Sequence, residues 1–501
     1  MTRLGMGPVI TTVETHVPAC WKHAFQSLAR PLRRQLSLCV IEHEADSLQS
    51  INNIAKNQKH TEMTMTSLRT AFRSLTKPTK RQADNGPEEH SHILGLRGIL
   101  SILSLLWIFL QTFVPSVVSQ DTEGPTYQKI IRYVFSPVFY NLSLIRTFFF
   151  VLSARSICVR FLKRPQPSTY AGSIIRRLIR LPLVLTIACA IVFGVFGGIG
   201  VSYIRQFEEV LPNASVTAPE SPNNALTGLN AIFDQFWIVR LYYYQAANDF
   251  WPSGTVWMIS LIFQQSWTVY FLMVILPFTR AIWHWQFLTL FALGSFWMNT
   301  WGWYDASALL LADYIINPVL RARLDSGLEI NEDWRIAYAA PGAAMTVAGF
   351  AMKYTWTVLP QYVDKELVLH PFLDLAENTN RAQFAAADPY PRVDNFLVIF
   401  GVLLIVETTP KACTCLSAKW LVQIGRRSLS IFVAQSAVFW TIGIKLFLHL
   451  HLDRGTSKAT ANFAVFVVAT LSTILFAEVF YRLVDVPSQM IASKGYLWLL
   501  R

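Results

Sequence analysis

A succession of long apolar segments, each near the roughly twenty residues a helix needs to cross a bilayer, constrains this chain more than any other feature. Inside hydrocarbon every backbone polar group must find its partner within the protein, so such segments fold as helices. Ten are expected, near 94–114, 138–158, 181–203, 255–278, 284–301, 304–320, 336–359, 395–409, 427–449 and 462–483. The predicted fold class is all-α, a polytopic transmembrane helix bundle of about ten spans. Composition agrees, since 53% of the 501 residues are apolar and only 15% charged, against about a quarter charged in soluble domains. Only Trp301-Gly-Trp-Tyr-Asp305 parts the fifth and sixth segments, and the eighth is short. Ala231–Trp251 is aromatic but interrupted by Asp234, Arg240 and Asp249, which suits a helix lying at the interface.

The flanks divide the chain into a polar tail over 1–92, a membrane domain over 93–487 and a short C-terminal tail over 488–501. The first tail is mixed in charge, partly disordered in expectation, and ends in Lys77-Pro-Thr-Lys80-Arg81. Lys and Arg bias sets orientation. Arg155, Arg160, Lys163, Arg164, Arg176, Arg177 and Arg180 crowd one connection without an acid, and Lys411, Lys419, Arg426 and Arg427 crowd another. Both connections, and with an even span count both termini, are expected in the cytoplasm of an endomembrane or plasma-membrane protein. The acid-leaning 204–235 loop carries Asn213-Ala-Ser215, an acceptor sequence for an N-glycan at Asn213 on the opposite side. The formal charge of +12 does not indicate nucleic acid, because the basic residues border apolar segments and form no stripe. The six cysteines have no framework spacing. Cys413-Thr-Cys415 is read as an inert pair, with palmitoylation or metal binding as the alternatives.

Ionisable groups within apolar segments carry the functional signal, because burial in lipid is costly. Arg97 lies at the start of the first segment, where it either snorkels to the interface or binds a ligand. Arg177 and Arg180, one helical turn apart, share a face and can grip a phosphate, or simply anchor the helix end. Arg146 sits deep in the second segment, which calls for an acid such as Glu407, Glu478 or Asp313. Glu478, Arg482 and Asp485 fall on successive turns, as in an ion-pair ladder, and Asp485-Val-Pro487 reads as a helix stop. No metal site is read, and no nucleophile or phosphate-loop motif occurs. Ser153 and Ser260 suit helix packing.

Several of these stretches resemble the acyltransferase type 3 family of multi-pass membrane enzymes, in its fungal form, across roughly Ile93 to Gln489. Leu94-Gly-Leu-Arg97-Gly-Ile resembles its opening motif. Phe149-Phe-Val-Leu-Ser153 resembles its second-helix motif, with Ala154 in place of the usual Gly. Arg177-Leu-Ile-Arg180 matches its Arg-x-x-Arg element, and Val256-Trp-Met-Ile-Ser260 through Ser266-Trp-Thr-Val-Tyr270 its Trp-centred helix. Gly425-Arg-Arg-Ser-Leu-Ser430 and Glu478-Val-Phe-Tyr-Arg-Leu-Val-Asp485-Val-Pro487 resemble its closing motifs. The resemblance implies transfer of acyl groups other than amino-acyl groups from acyl-CoA, as co-substrate and with no bound cofactor, to a hydroxyl of a carbohydrate or lipid acceptor. It also implies that Arg97, Arg177 and Arg180 hold the donor's phosphates.

The chain departs from that pattern where the chemistry lies. The family's His, ten or eleven residues after the first-helix Arg, is replaced by Trp107 and Ile108, which cannot take a proton. Ile262 replaces the Glu that follows the Trp motif, and Gln435 stands where many members have His. His16, His23, His43, His60, His90, His92, His284, His370, His449 and His451 are the whole histidine inventory. Three readings follow. One is an active enzyme whose base has moved to Asp305, Asp313, His449 or His451. Another is a pseudoenzyme that binds or regulates on the same scaffold. The last is a transporter or lipid-handling protein.

Overall fold

The computed structural model describes residues 91–372 and 389–500, apart from breaks at 121, 164, 214, 239–241, 281–282, 318–320, 323–325 and 332–333. The N-terminal tail expected before the first span lies outside the described residues, as does Arg240.

The chain is an all-α transmembrane helix bundle. Its principal helices are α1 (Ser91–Phe113), α2 (Thr126–Phe139), α3 (Leu142–Lys163), α4 (Pro167–Ile199), α5 (Ser202–Val210), α6 (Ala225–Trp237), α7 (Trp257–Ile275), α8 (His284–Trp297) and α9 (Gly302–Ile316). After α9 a short antiparallel hairpin, β1 (Leu328–Asn331) with β2 (Trp334–Ile336), pairs Leu328 with Ile336. It forms the one sheet among the described residues. Then come α10 (Ala339–Val358), α11 (Val393–Thr408), α12 (Pro410–Leu416), α13 (Lys419–Arg426), α14 (Ser428–Val438), α15 (Lys458–Phe480) and α16 (Val486–Leu499). Ala231–Trp251 is broken into short pieces, with α6 ending at Trp237 and single turns at Tyr242–Tyr244 and Ala246–Asp249.

Among the described residues six rods are long and apolar enough to cross a bilayer: Ser91–Phe113, Thr126–Lys163, Pro167–Ile199, Pro252–Phe278, Ser428–Asp453 and Lys458–Leu499. A seventh is gained if α11 and α12, bent by 102°, form one broken span. This corrects the expected count of about ten. The segments near 284–301 and 304–320 fold as helices of 14 and 15 residues. At 1.5 Å per residue these rise only about 21 and 23 Å, short of a hydrocarbon layer of about 30 Å. Helix α10 has 20 residues but is rich in Ala, Gly and Thr and carries Lys353, and it does not reach the needed apolarity.

Burial separates centre from rim. Four of the six rods are 61–72% buried, whereas Pro167–Ile199 is 28% and Lys458–Leu499 22% buried. The outward faces of the last two are apolar, with Leu471, Ile474 and Leu475 exposed, as lipid contact requires. Between α15 and α16 a π turn over Tyr481–Asp485 carries the helix onward. The stop expected at Asp485-Val-Pro487 therefore does not occur, and Pro487 sits where the π turn joins α16. The far end of that rod is braced on the start of α4, where the Tyr496 hydroxyl donates to the Ser168 carbonyl at 2.7 Å.

Two backbone contacts set the frame of the site. A Cβ on Gly95 would collide with the Leu416 carbonyl, one on Gly98 with the Leu421 carbonyl, and one on Gly425 with the Leu94 carbonyl. Helix α1 thus meets α12 and α13 backbone to backbone, which only glycine allows. The same device joins α10 to α11, where Gly342 and Gly401 face each other.

Candidate functional site

The glycine contact fixes the height of Arg97, two residues after Gly95. From α1 its Nη2 donates to the Leu152 carbonyl at 3.0 Å and to Ser156 Oγ at 2.9 Å. Arg177 approaches the same turn of α3 from α4, and its Nη2 donates to Ser153 Oγ and the Ile262 carbonyl, both at 2.9 Å. One turn further along α4, Arg180 sends Nε and Nη2 to Asp485 Oδ1 at 3.1 and 2.7 Å. The structure thus brings Arg97, Arg177 and Arg180 together at one end of the bundle, near enough that Arg177 and Arg180 act on the charge of Arg97.

Their surroundings differ. Arg180 has the fully buried carboxylate of Asp485 as counter-ion. Arg97 and Arg177 bond only hydroxyls and carbonyls among the described residues. Two cations side by side in a partly desolvated setting, with no carboxylate bonded to either among the described residues, favour an anion.

The Arg180 bond also corrects the expected ladder along the last rod. Glu478 pairs with Arg482 at 2.6 Å and with Arg427, while Asp485 leaves the row for Arg180. The expected acid for Arg146 is also absent. Its guanidinium lies over the rings of Trp257 at 4.6 Å and Trp107 at 5.6 Å, a cation–π arrangement that replaces a carboxylate. The acids proposed for it are engaged elsewhere. Glu407 Oε1 accepts from both Nε and Nη2 of Arg155, and Oε2 lies 3.4 Å from His92 Nε2. Asp313 is 3.5 Å from His284 Nδ1.

Trp107 and Ile108 are 5% and 0% exposed. Trp107 borders a small cavity shared with Ser104, Arg146, Thr255, Met258 and Gln435, with room for about one water. Gln435 donates to Ser104 Oγ at 2.8 Å there. None of these groups takes a proton near neutral pH.

The other candidate bases are dispersed. Asp305, in the first turn of α9, is fully buried and no donor reaches either carboxyl oxygen. Arg177 is near enough to act on its charge. His449 is exposed and bonds Asp453 at 2.8 Å, and His451 bonds the Thr456 carbonyl at 2.9 Å. Both belong to the end where Phe113, Phe207 and Phe447 pack together. Sixteen residues of helix, about 24 Å, part Phe113 from Arg97.

That opposite end holds a cluster the sequence did not single out. Lys353, 2% exposed, donates to Asn395 Oδ1 at 2.6 Å and Asp394 Oδ2 at 3.2 Å. Arg392 bonds Asp394 at 3.0 Å and Glu366 at 2.9 Å. Burial, and then the charge of Asp394, push the Glu366 carboxyl up. Against the opposing effect of burial, Asp394 and Glu366 raise the Arg392 guanidinium. A lysine in the middle of an apolar Ala/Gly segment was the available signal. Nearby, His370 is fully buried, with Nδ1 on the Phe296 carbonyl at 2.7 Å, and burial pulls its imidazole down against that bond.

Asn213 is 8% exposed and its amide nitrogen, the atom a glycan would use, donates to the Gln111 carbonyl at 2.6 Å. Ser153 and Ser260 both bond within the bundle. Cys413 and Cys415 are free thiols, and among the described residues no group of three His, Cys, Asp or Glu is arranged to hold a metal.

A family model described as OpgC protein matches residues 325–483. The chain is similar to that family over the stretch that contains Lys353, Asp394, Glu407, Gln435 and Glu478, and the three arginines lie before it. No curated protein and no solved structure matches the chain.

Proposed function

We propose that this chain is a membrane-bound acyltransferase-like protein. It takes an acyl group, other than an amino-acyl group, from acyl-CoA and passes it to a hydroxyl of a sugar or lipid. One observation carries the reading: Arg97 and Arg177 grip one turn of α3 beside Arg180 and lack a carboxylate of their own. The phosphates of CoA supply that missing negative charge. In this reading the basic end and both termini face the cytoplasm, where acyl-CoA is found. Similarity to an OpgC-type, acyltransferase-related family over 325–483 supports the class, and the acyltransferase type 3 motifs support the finer assignment, including its fungal form.

In such a transfer the acceptor oxygen attacks the thioester carbonyl, the C–S bond breaks, CoA leaves as thiolate, and the hydroxyl proton must be taken up. Asp305 is the best-situated acceptor for it, a buried carboxyl without hydrogen bonds among the described residues and within reach of the charge of Arg177. Asp313 is engaged with His284, and His449 and His451 belong to the opposite end.

A second reading, a pseudoenzyme that binds acyl-CoA without turnover, is favoured by the cavity at Trp107, which has no titratable base on its wall. Labelled acyl-CoA offered to the full chain in nanodiscs, with a panel of sugar and lipid acceptors, separates the two. Arg97→Gln or Arg177→Gln is expected to weaken CoA binding by roughly tenfold or more, the worth of a charged hydrogen bond. Asp305→Asn is expected to stop transfer while binding persists. Binding without transfer across the panel selects the pseudoenzyme. Unchanged CoA affinity in a folded protein with Arg97, Arg177 and Arg180 all replaced by Ala would falsify both.

A further inference from the structure

A second cavity lies at the end opposite the arginine cluster. It has a volume of about 200 Å³, room for roughly seven waters, and is walled by α2, α3, α10 and the approach to α11. Its polar wall includes Gln120, Asn141, Arg132, Lys353 and Arg392, together with the carboxylate of Asp394. Lys353 and Arg392 are held in place by buried carboxylates, Asp394 for both and Glu366 for Arg392. Those two acids against Arg132, Lys353 and Arg392 leave one positive charge over.

The surplus resides on Arg132. It is 6% exposed, and Nη1 donates to the Ser119 carbonyl at 2.7 Å and, more weakly, to the Ser116 carbonyl at 3.4 Å. Nε has no acceptor, and no acid among the described residues pairs with the group. A buried guanidinium that lines a cavity and meets only carbonyl oxygens is costly unless an anion completes it. Pre-bonded Lys353 and Arg392 add positive potential that needs no rearrangement.

We propose that this cavity binds a single phosphate-type anionic group, with Arg132 as its principal ligand and Lys353 and Arg392 as supporting charge. Two sources present that chemistry, a free phosphate and the headgroup of an anionic lipid. The inference is independent of the donor-site reading, because it concerns other residues at the other end of the bundle.

Thermal melting of the full chain in phosphatidylcholine nanodiscs tests it, with inorganic phosphate titrated in one arm and phosphatidic acid built into the disc in the other. A saturable rise in melting temperature is expected in at least one arm. Arg132→Gln is expected to raise the half-saturating amount about tenfold or more, whereas Arg177→Gln leaves it unchanged. Response to phosphate assigns the free anion, and response to phosphatidic acid alone assigns the lipid. Should Arg132→Gln fail to fold, Gln120→Trp narrows the mouth without touching the buried ion pairs and is expected to weaken binding in the same way. The proposal is overturned if neither arm responds. It is equally overturned if the response survives Arg132→Gln and Gln120→Trp, or is lost in Arg177→Gln instead.

Discussion

Glu407→Leu removes the carboxylate that pairs with Arg155. The two side chains are 2% and 5% exposed, and Arg155 Nε lies 3.0 Å from Glu407 Oε1 with Nη2 on the same oxygen. At an effective dielectric of about 20, charges 3.0 Å apart attract by about 5 kcal/mol. Losing one partner of a buried pair costs about 3–5 kcal/mol in measured cases, because the other charge is left unneutralised. An arginine in the middle of a bundle has no water to turn to, so a loss of about 4 kcal/mol is expected. The assay is reversible unfolding in detergent, followed by tryptophan fluorescence, for Glu407→Leu, Arg155→Met and the double variant. The double variant removes both charges and should recover most of the loss, since an apolar pair of similar volume is neutral or stabilising. The reasoning is refuted if Glu407→Leu is as stable as the parent, or if the double variant is no more stable than the worse single one.

Three further outcomes follow from the geometry. Gly425→Ala puts a methyl into the Leu94 carbonyl and should destabilise by about 1–3 kcal/mol or more, with CoA binding weakened alongside because Arg97 moves with α1; melting and binding on one preparation check both. His370, held below its usual value of 6.5 by burial, takes up protons on unfolding. Its contribution is therefore whole above pH 6.5 and shrinks as pH falls, so melting curves between pH 7.5 and 5 should fall less steeply for His370→Phe than for the parent. Asn213→Gln should leave electrophoretic mobility unchanged on expression in a glycosylating host, since the amide is buried on the Gln111 carbonyl.

The sequence made the helical class and the shared face of Arg177 and Arg180 legible for one reason: both are local. Apolar runs announce helices, and Arg177 and Arg180 fall one turn apart by spacing alone. Partners are not local. Arg180 meets Asp485 across 305 residues and Arg155 meets Glu407 across 252, so the row Glu478, Arg482, Asp485 looked like a ladder although its last member belongs to α4. Span number failed for a related reason. The segments near 284–301 and 304–320 are apolar enough, but their helices end at Trp297 and Ile316, and no hydropathy pattern marks those ends. Lys353 was hidden by its neighbours, since an Ala- and Gly-rich segment gives no sign that its lysine has Asp394 and Asn395 waiting.

The unbroken rod from Lys458 to Leu499 has 42 residues, about 63 Å of helix. Even tilted by about 40° it rises about 48 Å, well over the roughly 30 Å of acyl chains. Part of the rod therefore lies outside the acyl chains, and its last turns, tied to the start of α4 through Tyr496 and Ser168, are braced as a two-helix unit.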